Sequence, residues 1–282
     1  MLDPARPRRM RAALPGARHK LALARPAPDG RWAWPDADVP STHVVKPESG
    51  EHPEAVVNEM FCASVVAEVG LLAPPTWIET IAGRPCLVSE RFDRTFGGTG
   101  LGRLHQESFC QALSFAPGRD DENEDAEGPA FAEAAGLLRA AGAEDRVLDL
   151  IAVALCNYIL GNGDCHGDNL ALILTPTGSL LAPFYDIAST AVYDDPTHVG
   201  MVVAGDYDES AYLLELAEIC EEAKIDFERC RGIAASVASK TSAALEAVAG
   251  RARREGWHAP VIEAIQDLAG ERAVNLGYEV QY

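Results

Sequence analysis

The stretch that most constrains the fold is Asp164-Cys165-His166-Gly167-Asp168-Asn169, followed after one short hairpin by Phe184-Tyr185-Asp186. Two strand-like runs, Leu170 to Leu174 and Ser179 to Pro183, flank Thr175-Pro176-Thr177-Gly178, whose residue types suit a tight turn. If the hairpin folds about the Thr177/Gly178 junction, Asn169 lies opposite Asp186, with Cα atoms roughly 4.5 to 5.5 Å apart. An amide and a carboxylate at that separation can share one cation. The spacing therefore predicts a hairpin that assembles a metal site.

Phosphoryl transfer from a nucleotide needs a carboxylate beside the attacking hydroxyl and, in kinase-like sites, an Asn and a second Asp on Mg²⁺. Asp164, Asn169 and Asp186 have those types in that order. Asp164 and Asn169 stand as D-x-x-x-x-N, the separation of the protein-kinase catalytic loop. Taken singly, each is as readily a turn residue, because Asp and Asn beside Gly favour turns. Together the three are hard to dismiss. His166 alone reads as a structural or nucleotide-side histidine rather than a metal ligand.

With 282 residues the chain can bury a sizeable core, as one bilobal unit or two modest domains. No apolar run approaches the ~20 residues of a membrane span, and the basic start lacks the apolar core of a signal peptide. A cytoplasmic protein is the default expectation. Seven cysteines, an odd number with no C-x-x-C, read as reduced and mostly buried thiols. Cys165, beside the proposed base, is the one that could be reactive. Net charge is −19, and residues 1 to 31 hold eight Lys or Arg against two acids, so the rest of the chain is strongly acidic. An acidic body argues against sequence-independent nucleic-acid binding, which needs a basic footprint.

Upstream, Leu14 to Lys20 followed by Leu21 to Arg25 reads as a turn running into a strand. Ser41 to Lys46, ending before Pro47, reads as an edge or terminal strand. Glu54 to Gly70 reads as a helix closed by its glycine. Glu59 lies at helical spacing with Val56, Ala63 and Val66, so it faces an apolar side and needs a cation, for which Lys46 is the candidate. Trp77 to Ile81 and Pro85 to Glu90 form strands about the Gly83 turn, and Gly97 to Gly100 reads as a flexible link. Asp145 to Leu160 is apolar on nearly every face, as a central buried helix would be. The acidic run 120 to 127 reads as a solvated loop. Residues 207 to 223, 231 to 254 and 259 to 271 read as helices without a motif.

Three blocks carry a resemblance: Leu160-Gly161-Asn162-Gly163-Asp164-Cys165-His166-Gly167-Asp168-Asn169, Leu181-Ala182-Pro183-Phe184-Tyr185-Asp186-Ile187-Ala188-Ser189-Thr190, and Arg103-Leu104-His105-Gln106-Glu107-Ser108-Phe109-Cys110-Gln111. They resemble the HipA family of bacterial serine/threonine kinase toxins, over about Leu14 to at least Tyr193. The resemblance implies an α+β, bilobal protein-kinase-like fold, with a small mixed N-lobe over 1–94 and a mostly helical C-lobe over 95–282. It implies ATP and Mg²⁺ as cofactors, with Asp164 as base and with Asn169 and Asp186 on the metal. Around the nucleotide it implies the loop Pro15, Gly16, Ala17, Arg18, His19 and Lys20, then Lys46, the hinge Glu90, Arg91 and Phe92, and His166, Gly167, Asp168, Asn169 and Tyr185.

Characterised family members phosphorylate aminoacyl-tRNA synthetases and are restrained by an antitoxin, which makes a protein substrate and an antitoxin the implied partners. Typical members also carry an N-terminal subdomain before the glycine loop. With Met1 close to Leu14, a separate small protein is expected to supply that cover, or the chain is a truncated gene product. Ala13 stands where the family commonly has a serine whose phosphorylation ejects the loop, so this chain is expected to lack that switch. Arg18 replaces the usual Gln, Asp168 replaces a residue often basic, and of the Lys-Tyr-Glu stretch before Gly-Pro only Gly128-Pro129 remains. Two rival readings stay open: a pseudokinase acting as a binding module, and a metal-dependent hydrolase using Asp164, His166 and Asp168.

Overall fold

A computed structural model of the chain describes residues 19–25, 27, 30–36, 38–50, 52–97, 100–115, 129, 131–193, 217, 220–221 and 224–279. Strands β1 (Leu21–Leu23), β2 (His43–Pro47), β3 (Thr76–Ile81) and β4 (Arg84–Glu90) form an antiparallel sheet in the order β1-β2-β4-β3. Period-two alternation gives the sheet two different faces. On one, Val45, Leu23, Cys86 and Val88 pack together under Trp32 and Trp77. On the other, Val44, Lys46 and Ser89 line a cleft.

The β3–β4 hairpin turns on Ala82 and Gly83 (φ 52° and 81°), the paired left-handed residues that match strand twist. β2 is an inner strand, not the edge or terminal strand that Pro47 led us to expect. Pro47 is the last residue of the ladder, and the next amide, Glu48 N–H, bonds Pro85 O at 2.9 Å. The missing donor thus falls where pairing ends.

Helix α1 (Ala55–Val69) follows β2 and closes at Gly70 (φ 99°), with Leu71 N–H reaching Val66 O at 3.2 Å. It is apolar on most sides because it serves two neighbours. It covers the cleft side of the first sheet with Glu59, while Phe61, Cys62, Val65 and Val66 enter the main core. Beyond the sheet, β5 (Arg94–Gly97) and β6 (Gly100–Arg103) pair antiparallel, with Gly97 opposite Gly100 at the end of the ladder; Gly98 and Thr99 of the expected link lie outside the described residues.

Strand β7 (His105–Ser108) runs into the one-turn α2 (Phe109–Ala112), capped reciprocally by Ser108 and Gln111. After α3 (Phe131–Ala140) comes α4 (Val147–Leu160), which buries Leu150, Ile151, Leu155, Ile159 and Leu160. Strands β8 (Ala171–Thr175) and β9 (Gly178–Leu181) complete a second antiparallel sheet with β7, in the order β7-β8-β9.

Helices α5 (Phe227–Glu255) and α6 (Pro260–Glu279) close the core against α1 and α4. They are longer than the apolar patterning over 231 to 254 and 259 to 271. Asp226 caps α5 through Arg229 N–H at 2.9 Å, and Glu54 (φ 60°) caps α6 through Val261 N–H at 2.8 Å. Of 207 to 223, only 217, 220 and 221 are described, and they are helical; the acidic run 120 to 127 lies outside the described residues. Among the described residues no helix is long and apolar enough to cross a membrane.

Candidate active site

Helix α4 ends at Gly161 (φ 69°), and the chain turns at once into the loop bearing Asp164 and Asn169. Asparagines fix that loop. Asn162 N–H bonds Asn157 O at 2.9 Å, its Nδ2 donates to Asn157 Oδ1 at 2.9 Å, and its Oδ1 accepts Asp164 N–H at 3.2 Å. Asn169 Nδ2 donates to the main-chain oxygen of Asp164 at 2.7 Å, tying together the ends of the D-x-x-x-x-N motif. Its amide oxygen accepts no hydrogen bond among the described residues.

His166 Nδ1 accepts Asp168 N–H at 3.2 Å, so the neutral ring carries its proton on Nε2, 3.4 Å from Asp164 Oδ1. Gly167 opens the short turn Gly167–Asn169 and packs where a Cβ would sit 2.6 Å from Pro129 and 2.8 Å from Cys110 Sγ. Asp168 is held by Ser108 Oγ, which donates to its Oδ1 at 2.6 Å, and its carbonyl accepts Tyr185 O–H at 2.8 Å. The β7–α2 block therefore buttresses the catalytic-type loop. Cys165 Sγ accepts Asn157 Nδ2 at 2.9 Å, and burial, reinforced by Asp164, pushes its thiol up to about 12. It is not a reactive thiolate.

The expected pairing of Asn169 with Asp186 across the hairpin does not occur. The β8–β9 ladder runs from Leu172↔Leu181 to Thr175↔Gly178, so the loop is Pro176-Thr177 and the register differs from a turn centred on Thr177/Gly178. Gly178 (φ 141°) opens β9, while Thr175 Oγ1 closes the turn by donating to Gly178 O at 2.6 Å. Both residues lie beyond the ladder, Asn169 in the short turn and Asp186 in a left-handed conformation (φ 59°) that aims it into the cleft.

At that end of the cleft Lys46 Nζ donates to Glu59 Oε1 at 2.5 Å and also to Asp186 Oδ1. Lys20 Nζ donates to Asp186 Oδ2 at 3.1 Å. Burial alone would raise the Asp186 carboxyl, but Lys46 and Lys20 outweigh it and hold the group well below the usual carboxylate range. Burial likewise pulls on the Lys46 ammonium, and Asp186 and Glu59 together raise it above its ordinary value. The charges are mutually fixed.

At the opposite end, Glu90 N–H bonds Pro75 O at 2.9 Å, and Pro75 has no N–H to return. The Glu90 carbonyl is thus left without a ladder donor, and Phe92 N–H makes no hydrogen bond among the described residues. Arg91 clamps Asp93 through Nε (2.9 Å) and Nη2 (2.6 Å), and Phe92 stacks on Tyr185 with centroids 5.4 Å apart. The cleft between encloses about 720 Å³, part of it open to solvent.

Of the residues singled out in the sequence, Lys20, Lys46, Glu90, Arg91, Phe92, Asp168, Asn169, Tyr185 and Asp186 line this one cleft. Asp164, His166 and Gly167 stand on the adjoining loop without lining it, and His19 is exposed. Ala13 and Pro15 to Arg18 lie outside the described residues. Sequence reasoning missed Gln106, which lines the cleft, and Ser108, which holds Asp168. Both sat inside a recognised block with no chemical role attached.

Asp186 and the free Asn169 oxygen are the hard oxygen donors that suit Mg²⁺. Among the described residues no group of three or more His, Cys, Asp or Glu could hold a metal, which leaves the Asp164, His166, Asp168 hydrolase reading without a site.

The model of the HipA-like C-terminal domain family matches residues 12–245. The Sinorhizobium fredii protein Y4mE is 37% identical over 189 residues, covering 66% of this chain and 44% of that protein. The Shewanella oneidensis serine/threonine-protein kinase toxin HipA is 30% identical over 202 residues, covering 66% and 46%. The chain thus spans less than half the length of these curated relatives. Among solved structures, HipA in the Shewanella oneidensis complex of HipA, HipB and operator DNA superposes with a TM-score of 0.74 at 24% identity, covering 95% of this chain and 64% of that one. The Helicobacter pylori proinflammatory kinase CtkA superposes at 0.55 with 11% identity, covering 85% and 87%. These likenesses establish a mixed, protein-kinase-like fold, and with the family match over most of its length the chain belongs to the HipA-like C-terminal domain family.

Proposed function

We propose that this chain is an ATP-dependent serine/threonine protein kinase. The observation that carries the reading is Lys46 on an inner strand, bridging Glu59 of α1 and Asp186 at one end of a cleft whose other end offers a free carbonyl and a free amide. A strand lysine paired with a helix glutamate, beside a metal-binding aspartate, is the arrangement protein kinases need for transfer.

In this reading the Glu90 carbonyl and Phe92 N–H meet the adenine edge. Lys46 holds the phosphates, and Asn169 and Asp186 hold Mg²⁺. The metal, when bound, neutralises phosphate charge. Because both oxygens of Asp186 are engaged by ammonium groups, Lys20 must swing from Asp186 toward the nucleotide for the site to load. Asp164 accepts the proton of the attacking hydroxyl, and the His166 Nε2–H beside it orients its carboxylate. Residues 1–94 form the small lobe and 95–282 the large one. The relative HipA is named a serine/threonine-protein kinase toxin, and the HipA structure contains HipB. By that likeness the acceptor is a protein hydroxyl and an antitoxin of the HipB kind restrains the enzyme; the family resemblance adds an aminoacyl-tRNA synthetase as the acceptor protein.

Calorimetric titration with a non-hydrolysable ATP analogue tests the cleft. Wild type binds it in a Mg²⁺-dependent manner, and Asp186→Asn loses the Mg²⁺ dependence. Absence of nucleotide binding by wild type would overturn the reading.

A further inference from the structure

Two residues are not used by this account of transfer, Asn58 on α1 and Thr190, which ends the block that carries the metal-binding aspartate. Asn58 is fully buried beside Glu59. Its Nδ2 donates to Ser189 O and its Oδ1 accepts Ser189 N–H, both at 2.8 Å, a two-point grip on the chain three residues beyond Asp186. The next residue grips the loop that carries Asp164. Thr190 N–H and Ala191 N–H both donate to Gly161 O, at 2.9 and 3.1 Å. The Thr190 hydroxyl accepts Gly163 N–H at 2.9 Å and donates to Gly161 O at 3.3 Å. Gly161 permits this close approach, since a Cβ there would stand 2.9 Å from Ala191 Cβ and 3.2 Å from Ser189 Oγ. An unbroken series of hydrogen bonds thus runs from α1 through 189–190 to the residue preceding Asp164.

We propose that Asn58 and Thr190 are positioning residues, a strut that sets the Asp164 loop at a fixed distance from the Lys46–Glu59 pair. The proposal rests on the kinase reading above. Lys46 and the hinge hold the nucleotide directly and Asn169 and Asp186 reach it only through the metal, while the acceptor's proton is taken from the α4 loop. A device that joins the two sides therefore acts on the transfer step rather than on nucleotide affinity. A misplacement of about 1 Å is enough to cost a hundredfold in rate.

The test is the steady-state kinetics of wild type, Thr190→Val, Thr190→Ser, Asn58→Leu and the double variant Asn58→Leu/Thr190→Val, with Mg-ATP and a protein acceptor. Valine keeps the shape of threonine but strands Gly163 N–H. Thr190→Val is expected to lower kcat about ten- to a hundredfold while the KM for ATP stays within about twofold. Thr190→Ser, which restores the hydroxyl, returns kcat to near wild type. Because the two residues act in series, the double variant is no slower than the slower single one, whereas independent sites would multiply.

An active wild type with an equally active Thr190→Val, a loss that serine does not recover, or a parallel fall in ATP affinity overturns the strut alone. A wild type that binds nucleotide without transferring phosphate overturns the kinase reading and the strut with it. Hydrogen exchange on wild type needs no variant: the Gly163 amide is protected like the end of α4, and exchange at the rate of a free amide overturns the proposal.

Discussion

Replacing Lys46 with Met keeps the aliphatic stem and removes the one ammonium shared by Glu59 and Asp186. Lys46 is 7% exposed and Glu59 4%, so water does little to compensate Glu59 for the lost charge. Asp186 keeps Lys20 at 3.1 Å. Breaking a buried ion pair from one side costs roughly 3 to 5 kcal/mol. In a chain of this size each kcal/mol lowers the melting midpoint by about 2 to 4 °C, so Lys46→Met should melt roughly 6 to 20 °C below wild type. Adding Glu59→Gln removes the carboxylate that Lys46 neutralised and recovers part of that loss. Scanning calorimetry at neutral pH on the three proteins reads all of this. A single variant melting within about 2 °C of wild type would refute the buried pair. So would a double variant less stable than the single one.

Three further outcomes follow from the same coordinates and sequence. Burial and Asp164 suppress the Cys165 thiolate, so iodoacetamide at pH 8 should leave Cys165 unlabelled in the folded protein while labelling it after denaturation; early labelling seen by peptide mass spectrometry would contradict this. Burial, then Arg25, lowers the His43 imidazole from 6.5 to about 4 against the opposing pull of Glu79. Between those values the unfolded chain takes up a proton that the folded chain refuses, so stability falls as pH drops through that window. His43→Phe should flatten that part of the curve of melting midpoint against pH, and an unchanged curve would count against it. The family resemblance puts Ala13 at the serine whose phosphorylation ejects the loop, so Ala13→Ser should create a kinase that loses activity on preincubation with Mg-ATP. Wild type should carry no phosphate within residues 1 to 40, which contain no Ser, Thr or Tyr.

Much of the architecture was legible because local chemistry agreed with the tertiary result. Gly70 stops α1, Ala82-Gly83 turns β3 into β4, and an acid amid apolar spacing pointed Glu59 at Lys46. The misreadings come where one residue type has two uses. Gly178 looked like the centre of a turn, yet its extended, positive-φ backbone opens β9, which moved the register and removed the supposed Asn169–Asp186 pair. Pro47 looked like an edge residue but sits at the last rung of an inner strand. Gly97 and Gly100 were not read as strand residues because glycines carry no pairing signal, and only the partner strand reveals the ladder that joins them. Asn58, Ser108 and Thr190 were invisible as chemistry: the bonds that tie them to Ser189, Asp168 and Gly163 reach groups distant in sequence, and no local pattern records those partners.

The central claim is that Asp164 is the base of a phosphoryl transfer run by this cleft. The most direct measurement is transfer of the terminal phosphate of labelled ATP to a protein acceptor by wild type and by Asp164→Asn, with nucleotide affinity measured on the same samples. The amide keeps the shape of the carboxylate but cannot take the hydroxyl proton. The account expects Mg²⁺-dependent labelling by wild type, a fall of roughly 10²- to 10⁴-fold in Asp164→Asn, and nucleotide affinity largely retained. Equal labelling by the two proteins would contradict it.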